Sequence, residues 1–140
     1  MNIPSTGPTD GSSRLTLLTR MFWPDGFGGV ERRTRCMAEA FTDAGVGVRV
    51  VTQRRGPDAE TLTEQLDPGY SVTRLAEPRI GWRWRWRELV TARWWARAVR
   101  DHADAGWVWA PDPLQAAGAI LAGAGDRLVY NPPWCAAGMH

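Results

Sequence analysis

The chain has 140 residues, of which 44% are hydrophobic and 23% are charged, and its formal net charge is +2. This length predicts one domain that can bury a core without disulfides or a structural metal. The small net charge argues against a whole-chain attraction to nucleic acid, and two cysteines and two histidines without ligand spacing predict no metal site.

Residues 1–13 form the first segment and are rich in proline, serine, threonine and glycine. Without an apolar run, they predict a disordered tail instead of a secretory signal. No stretch of the sequence approaches the roughly 18 apolar residues of a membrane-spanning helix. These features predict a cytoplasmic protein.

A strand, a helix and a second strand are predicted next. Apolar residues over 15–19 indicate a buried strand, and the loop over 20–29 leads into a helix over 30–44 that stops at Gly45. Valines over 46–51 indicate a second strand. A unit of this kind closes with right-handed connectivity around a parallel sheet.

The remaining chain repeats this alternation. Residues 53–70 are polar and contain two prolines, so they predict a loop with room for a short helix over 59–66. Strands are predicted over 71–75, 106–110 and 127–130, with helices over 86–103 and 113–123, the second capped by Asp112. This order predicts the α/β class, with a Rossmann-like doubly wound parallel sheet.

The first strand–helix junction is the predicted ligand site, because open parallel sheets bind ligands beyond the carboxyl ends of their strands. Gly28 and Gly29 lie there, directly before the helix. Glycine can adopt positive φ and leaves no Cβ in the way of a ligand, while the helix N-terminus offers unpaired N–H groups with partial positive charge. A diphosphate suits such a site. A plain turn that requires glycine is the alternative.

The order of segments from this junction onward resembles family 4 glycosyltransferases, in which an apolar strand leads through a proline-containing loop to two glycines and a glutamate. The resemblance spans about residues 14–133. It is carried by Leu17-Leu18-Thr19, Phe22-Trp23-Pro24-Asp25, Gly28-Gly29-Val30-Glu31-Arg32, and the segments 37–41, 44–52 and 108–114.

This resemblance implies one lobe of a two-lobed GT-B fold, which mainly binds the acceptor. Its glycine loop approaches the diphosphate of a nucleotide-sugar donor, a role that falls by position on Gly28 and Gly29. Glu31 matches the family's acidic residue, although an acid in the first turn also favours the helix dipole without a ligand. The family's second lobe has no counterpart in these residues. The chain is therefore expected to be incomplete, to be inactive alone and to work with a C-terminal lobe on a separate chain, without a metal cofactor.

Asp112 and Asn131 are further acceptor-side candidates, because each follows a predicted strand. Asp112 has an ordinary explanation as a helix cap. Asn131 occupies the place of the family's histidine-containing turn, and an asparagine before proline is also an ordinary turn residue. Asp25 lies at the first junction, where turn chemistry explains it. No catalytic residue is assigned.

Tryptophan and arginine alternate just before the second predicted helix. The residues concerned are Trp82, Arg83, Trp84, Arg85, Trp86 and Arg87. Interleaved aromatic and basic residues suit an anionic lipid interface, which predicts peripheral membrane contact. For 88–103, a core-facing amphipathic helix is predicted. Its apolar stripe consists of Trp86, Leu89 or Val90, Trp94 and Ala98, with Trp95, Val99 and His102 beside it. Binding of single-stranded nucleic acid ranks lower because the rest of the chain is nearly neutral.

Two other functions stay open from the sequence. In an NADP-binding Rossmann domain, Arg54 and Arg55 would suit the 2′-phosphate. Against this, residues 26–29 do not give the G-x-G-x-x-G spacing, and the loop is long for the tight dinucleotide turn. A non-catalytic remnant or an interaction subunit is the other possibility.

Overall fold

The computed structural model describes residues 14–24, 28–56, 58–66, 69–80 and 86–131. The elements in chain order are β1 (Arg14–Thr19), α1 (Gly29–Asp43), β2 (Gly47–Arg54), β3 (Leu62–Leu66), β4 (Tyr70–Ala76), α2 (Arg87–His102), β5 (Trp107–Ala110), α3 (Pro113–Leu121) and β6 (Leu128–Tyr130). A short 3-10 turn, Gly125–Arg127, precedes β6. The predicted tail over 1–13 lies outside the described residues.

The strands form one sheet in the order β3-β4-β2-β1-β5-β6. The five strands from β4 to β6 pair in parallel, whereas β3 pairs antiparallel with β4. From β1 the chain moves outward to β2 and β4, then crosses back to β5 on the other side of β1. This confirms the predicted α/β class and its Rossmann-like, doubly wound topology, with the switch point between β1 and β5.

Both faces of the sheet are buried, which explains why the strands contain consecutive apolar residues. Leu17 and Val50 belong to the core beneath α1. Leu18 and Val51 belong to the core beneath α2 and α3, where Trp95 is the largest buried side chain. Because successive side chains on a strand alternate between faces, each apolar pair supplies one residue to each core.

Of the loop predicted over 53–70, residues 55–56 and 58–61 do lie outside strands and helices, but the short helix over 59–66 is wrong. Strand β2 continues to Arg54, and β3 forms an antiparallel hairpin with β4. The turn before β4 includes Gly69, whose φ of 132° favours glycine. As an edge strand, β3 keeps Thr63 and Gln65 exposed, so it lacks the apolar run that marks the central strands. The sheet is therefore mixed and not purely parallel.

Helices α2 and α3 approach closely at Gly118. A Cβ built on Gly118 would lie 2.5 Å from the Cβ of Trp95, 2.8 Å from the nitrogen of Ala96 and 2.9 Å from the carbonyl oxygen of Ala92. Backbone atoms cannot rotate out of the way. The contact therefore requires glycine for space, and its φ is not the reason.

The apolar side predicted for α2 is confirmed at Trp95, Ala98 and Val99, but it is wrong at the start of the helix. The residues that α2 buries are Ala92, Trp95, Ala96, Ala98 and Val99. In contrast, Trp86, Leu89 and Val90 are 60%, 46% and 36% exposed. The small alanines allow the close contact with α3, and this contact sets a helix rotation that turns the first apolar residues outward. Within the described ranges, no helix is both long and apolar enough to cross a membrane.

Candidate functional site

The carboxyl ends of the parallel strands meet at one edge of the sheet, and two adjoining clefts open there. The larger, of about 810 Å³, crosses the switch point and is lined by residues that follow β1, β2, β4 and β5 and by the first turn of α2. The smaller, of about 480 Å³, extends toward α1 and includes Glu31. Both clefts share Arg20, Gln53 and Glu77, so they form one continuous depression.

Arginines are the most numerous charged side chains around this depression. The members are Arg20, Arg54, Arg55, Arg79 and Arg87. Two are already engaged: Arg79 forms an ion pair with Asp58, and Arg54 donates to the carbonyl oxygen of Glu60 at 3.2 Å. Arg20 directly follows β1 and lines both clefts. Arg20 was not among the site residues predicted from the sequence, although its place directly after the first strand was the available signal.

The glycine turn lies at the same edge, as predicted, but not for the conformational reason that was expected. Gly28 is extended, with φ −156° and ψ 177°, and Gly29 is the first residue of α1. Neither adopts positive φ. Around Gly29 the described residues leave the space open, because a Cβ built there meets none of their atoms within 4 Å. What glycine provides at this position is access to the helix N-terminus.

Glu31 folds back over the start of its own helix. A Cβ built on Gly28 would overlap the Glu31 carboxylate, which therefore lies against the N-terminal turn. A carboxylate is stabilised there by the partial positive charge of the helix end. The chain thus places its own anion beside the proposed diphosphate position, and an incoming phosphate requires the Glu31 side chain to turn away.

The loop between β1 and the glycine turn is fixed by an aromatic contact. Phe22 is fully buried, and its ring meets Tyr70 edge to face, with centroids 6.2 Å apart. Burial raises the pKa of the Tyr70 hydroxyl, and the neighbouring Glu39 carboxylate raises it further. The hydroxyl is therefore neutral at physiological pH, as suits a core position.

A buried arginine holds the same loop from β4. Arg74 is 4% exposed and donates hydrogen bonds to the carbonyl oxygens of Trp23, at 2.7 Å, and Phe22, at 3.5 Å. Its guanidinium also lies 3.5 Å from the Glu64 carboxylate of β3. These contacts connect the antiparallel edge to the loop that leads into the glycine turn. Arg74 is therefore a positioning residue for the candidate site.

The prediction that Asp112 caps a helix is confirmed, because Asp112 is the N-cap of α3. Its Oδ1 accepts a hydrogen bond from the Leu114 nitrogen at 2.8 Å, and its own nitrogen donates to Oε1 of the buried Gln115 at 3.3 Å. This reciprocal arrangement is a capping box. Asp112 also lines the larger cleft, so the cap fixes a carboxylate at the switch point.

Replacing Asp112 with alanine is expected to lower the free energy of unfolding by about 1 kcal/mol, because the amides of the first turn lose their acceptor. Replacement with asparagine is expected to cost only a few tenths, since asparagine caps almost as well. Urea denaturation of both variants measures the difference. Equal losses in the two variants would contradict a capping role.

The remaining residues predicted from the sequence are not gathered at one point of this edge. Asn131 follows β6, and its nitrogen donates to the carbonyl oxygen of Ala110 at 3.2 Å. Arg87 lines the larger cleft, and Trp86 is exposed beside it. Asp25 and the four residues Trp82, Arg83, Trp84 and Arg85 lie outside the described residues.

No group of three or more histidine, cysteine, aspartate or glutamate side chains is placed to hold a metal ion among the residues that the structure describes. No protein-family model, curated protein or solved structure matches the chain.

Proposed function

We propose that the chain is the N-terminal lobe of a nucleotide-sugar-dependent glycosyltransferase, completed by a C-terminal lobe, and that the N-terminus of α1 binds the donor diphosphate. The observation that carries this proposal is the approach to Gly29 at the carboxyl edge of the sheet, which the described residues leave open. The depression beside it is lined by five arginines and four carboxylates. It agrees with the resemblance to family 4 glycosyltransferases.

The chemistry required is stabilisation of the negative charge on a departing nucleoside diphosphate. A helix end contributes only about 0.3–1 kcal/mol, so charged side chains must supply more. A charge-assisted hydrogen bond contributes about 1.5–3 kcal/mol. Arg20 borders both clefts and is the arginine best placed to share a phosphate with the α1 amides.

The larger cleft suits the acceptor. Its volume of about 810 Å³ lies within the range of about 300–1,000 Å³ that is typical of small-molecule sites. Gln53, Glu77 and Asp112 present amide and carboxylate groups to it, which can hydrogen-bond the hydroxyl groups of a sugar. The donor sugar, the nucleotide and the catalytic residues stay unassigned in this proposal.

Replacing Gly29 with alanine is expected to weaken pyrophosphate binding at least about tenfold, because the methyl group blocks one charge-assisted hydrogen bond. Isothermal titration of wild type and variant with inorganic pyrophosphate measures this. The fold should be unaffected, since a Cβ at this position meets nothing within 4 Å. Unchanged affinity in a folded variant would contradict the proposed phosphate position.

Replacing Glu31 with glutamine is expected to have the opposite effect and to raise pyrophosphate affinity about fivefold. Two unit charges about 4 Å apart repel by about 1 kcal/mol in water, and the variant removes this repulsion. The same titration measures the gain. Weaker binding by this variant would mean that Glu31 helps to hold the ligand.

Binding of NADPH distinguishes an NADP-binding Rossmann domain from the proposed glycosyltransferase lobe. The structure places Arg54 at the end of β2 and Arg55 after it, both beside the smaller cleft. Fluorescence titration with NADPH is expected to show no saturable binding. Saturable binding of NADPH that is lost when Arg55 is replaced with glutamine would favour an NADP-binding domain and contradict the glycosyltransferase proposal.

A further inference from the structure

We propose that the outward face of α2 binds lipid bilayers that contain anionic lipids, a function independent of the diphosphate site. The α2 outer surface consists of Trp86, Leu89, Val90, Arg93, Arg97 and Arg100. All six are exposed, and their spacing places them on the side of the helix opposite to its buried residues. The apolar members occupy the first turns, and the arginines follow in a row.

The apolar part of this surface is unusually concentrated. Trp86, Leu89 and Val90 are 60%, 46% and 36% exposed within one and a half turns. On the adjacent helix, Leu121 is 57% exposed and contributes to the same side of the molecule. Single exposed apolar residues are ordinary, but a contiguous patch indicates a surface that another apolar phase covers.

The arginines of the α2 outer surface indicate that the partner is negatively charged. Arg93, Arg97 and Arg100 form no ion pair with any carboxylate of the described residues, Asp101 included. Together with Leu121 they line a groove of about 660 Å³. Their positive charge, which the exposed Asp101 offsets only in part, is therefore available to an anionic partner without the loss of an ion pair.

An anionic bilayer can bind both the apolar residues and the arginines of the α2 outer surface. Tryptophan and aliphatic side chains insert at the boundary of the acyl chains, while arginines extend to the lipid phosphates. Nucleic acid would use the arginines and Trp86, but it would leave Leu89, Val90 and Leu121 without a partner. The aliphatic residues therefore favour the bilayer.

This placement also relates the surface to the candidate site. Helix α2 begins at the carboxyl edge of the sheet, where Arg87 and Glu88 line the larger cleft. A protein bound through the start of α2 would hold that cleft close to the lipid headgroups. An acceptor anchored in the bilayer would then reach the cleft without leaving the membrane.

Vesicle co-sedimentation tests the proposal. Vesicles of phosphatidylcholine and phosphatidylglycerol in equal parts are expected to bind the protein about 100-fold more tightly than phosphatidylcholine alone, because each of three arginines contributes about fivefold near an anionic surface. Replacing both Arg93 and Arg97 with glutamine should then weaken binding about 25-fold.

Matched variants distinguish binding through the α2 outer surface from nonspecific attraction of the whole protein to negative charge. Replacing Arg32 and Arg33 of α1 with glutamine removes the same charge elsewhere and should change vesicle affinity less than about twofold. Replacing Trp86 and Leu89 with serine should weaken vesicle binding, while leaving the fold intact because both are exposed. Equal losses in the two arginine pairs, or equal binding to neutral vesicles, would overturn the proposal. So would an oligonucleotide affinity that matches the vesicle affinity and is unchanged by the serine variant.

Discussion

Replacing Arg74 with methionine is expected to lower the free energy of unfolding by about 3 kcal/mol. The substitution leaves the buried carbonyl oxygen of Phe22 without its donor, and a buried unpaired group costs about 1–3 kcal/mol. It also removes the shorter, part-buried hydrogen bond from the charged guanidinium to the Trp23 carbonyl oxygen, and a bond of this kind contributes about 1.5–3 kcal/mol. Methionine nearly fills the volume of arginine, so a cavity is not the cause. Because Glu64 is partly exposed, its lost ion pair adds little. Urea denaturation followed by circular dichroism measures the loss.

The matched control is replacement of Arg79 with methionine. Arg79 is an exposed arginine of the same edge, whose partner Asp58 is also exposed. Its loss is expected to cost less than about 0.5 kcal/mol, as is usual for surface ion pairs. The account would be contradicted if the two methionine variants were equally stable, because burial of Arg74 would then carry no consequence.

Replacing Gly118 with alanine is expected to destabilise the protein by about 2 kcal/mol. An added methyl group forces α2 and α3 apart, since it would lie within 3 Å of the Ala96 nitrogen and the Ala92 carbonyl oxygen. Overpacking of this kind costs about 1–3 kcal/mol or more, and the better helix propensity of alanine returns about 1 kcal/mol. Thermal and urea denaturation measure the net change.

Gly29 provides the control for Gly118. Both glycines are helical, but a Cβ on Gly29 meets nothing within 4 Å. Alanine at this position is expected to change the free energy of unfolding by less than about 0.5 kcal/mol. If alanine at Gly118 were equally harmless, the close approach of α2 and α3 would be wrong.

Much of the fold follows from local patterns in the sequence. The central strands contain short apolar runs because they are buried on both faces, and this signal needs no knowledge of their neighbours. Asp112 before Pro113 predicts the start of α3 for an equally local reason, since the cap and its acceptors lie within three residues. The right-handed connections between such elements restrict the number of possible strand orders.

The features that were predicted wrongly depend on contacts with other segments of the chain, which the pattern of one segment does not show. Strand β3 is held by pairing with β4, which no periodicity of its own polar sequence reveals. The rotation of α2 depends on Gly118, which lies more than 20 residues further along the chain. For the same reason, the sequence did not indicate that Arg74 anchors the loop at Phe22 and Trp23.

In the candidate site, too, some features follow from local sequence patterns and others depend on three-dimensional packing. Its position at the first strand–helix junction follows from the general behaviour of parallel sheets, and the glycines mark it. The orientation of Glu31 over Gly28 and the place of Arg20 in both clefts depend on side-chain packing in three dimensions. The sequence therefore predicts where the candidate site lies, whereas the structure identifies which side chains surround it.

The central claim is that the first amides of α1 bind a diphosphate, and amide NMR tests it most directly. Titration of the ¹⁵N-labelled chain with inorganic pyrophosphate is expected to shift the signals of residues 28–32 in a saturable way, with Arg20 moving along with them. The alanine variant at Gly29 should lose these shifts while its other signals stay in place. Saturable shifts at the opposite edge of the sheet, or none at residues 28–32, would contradict the account.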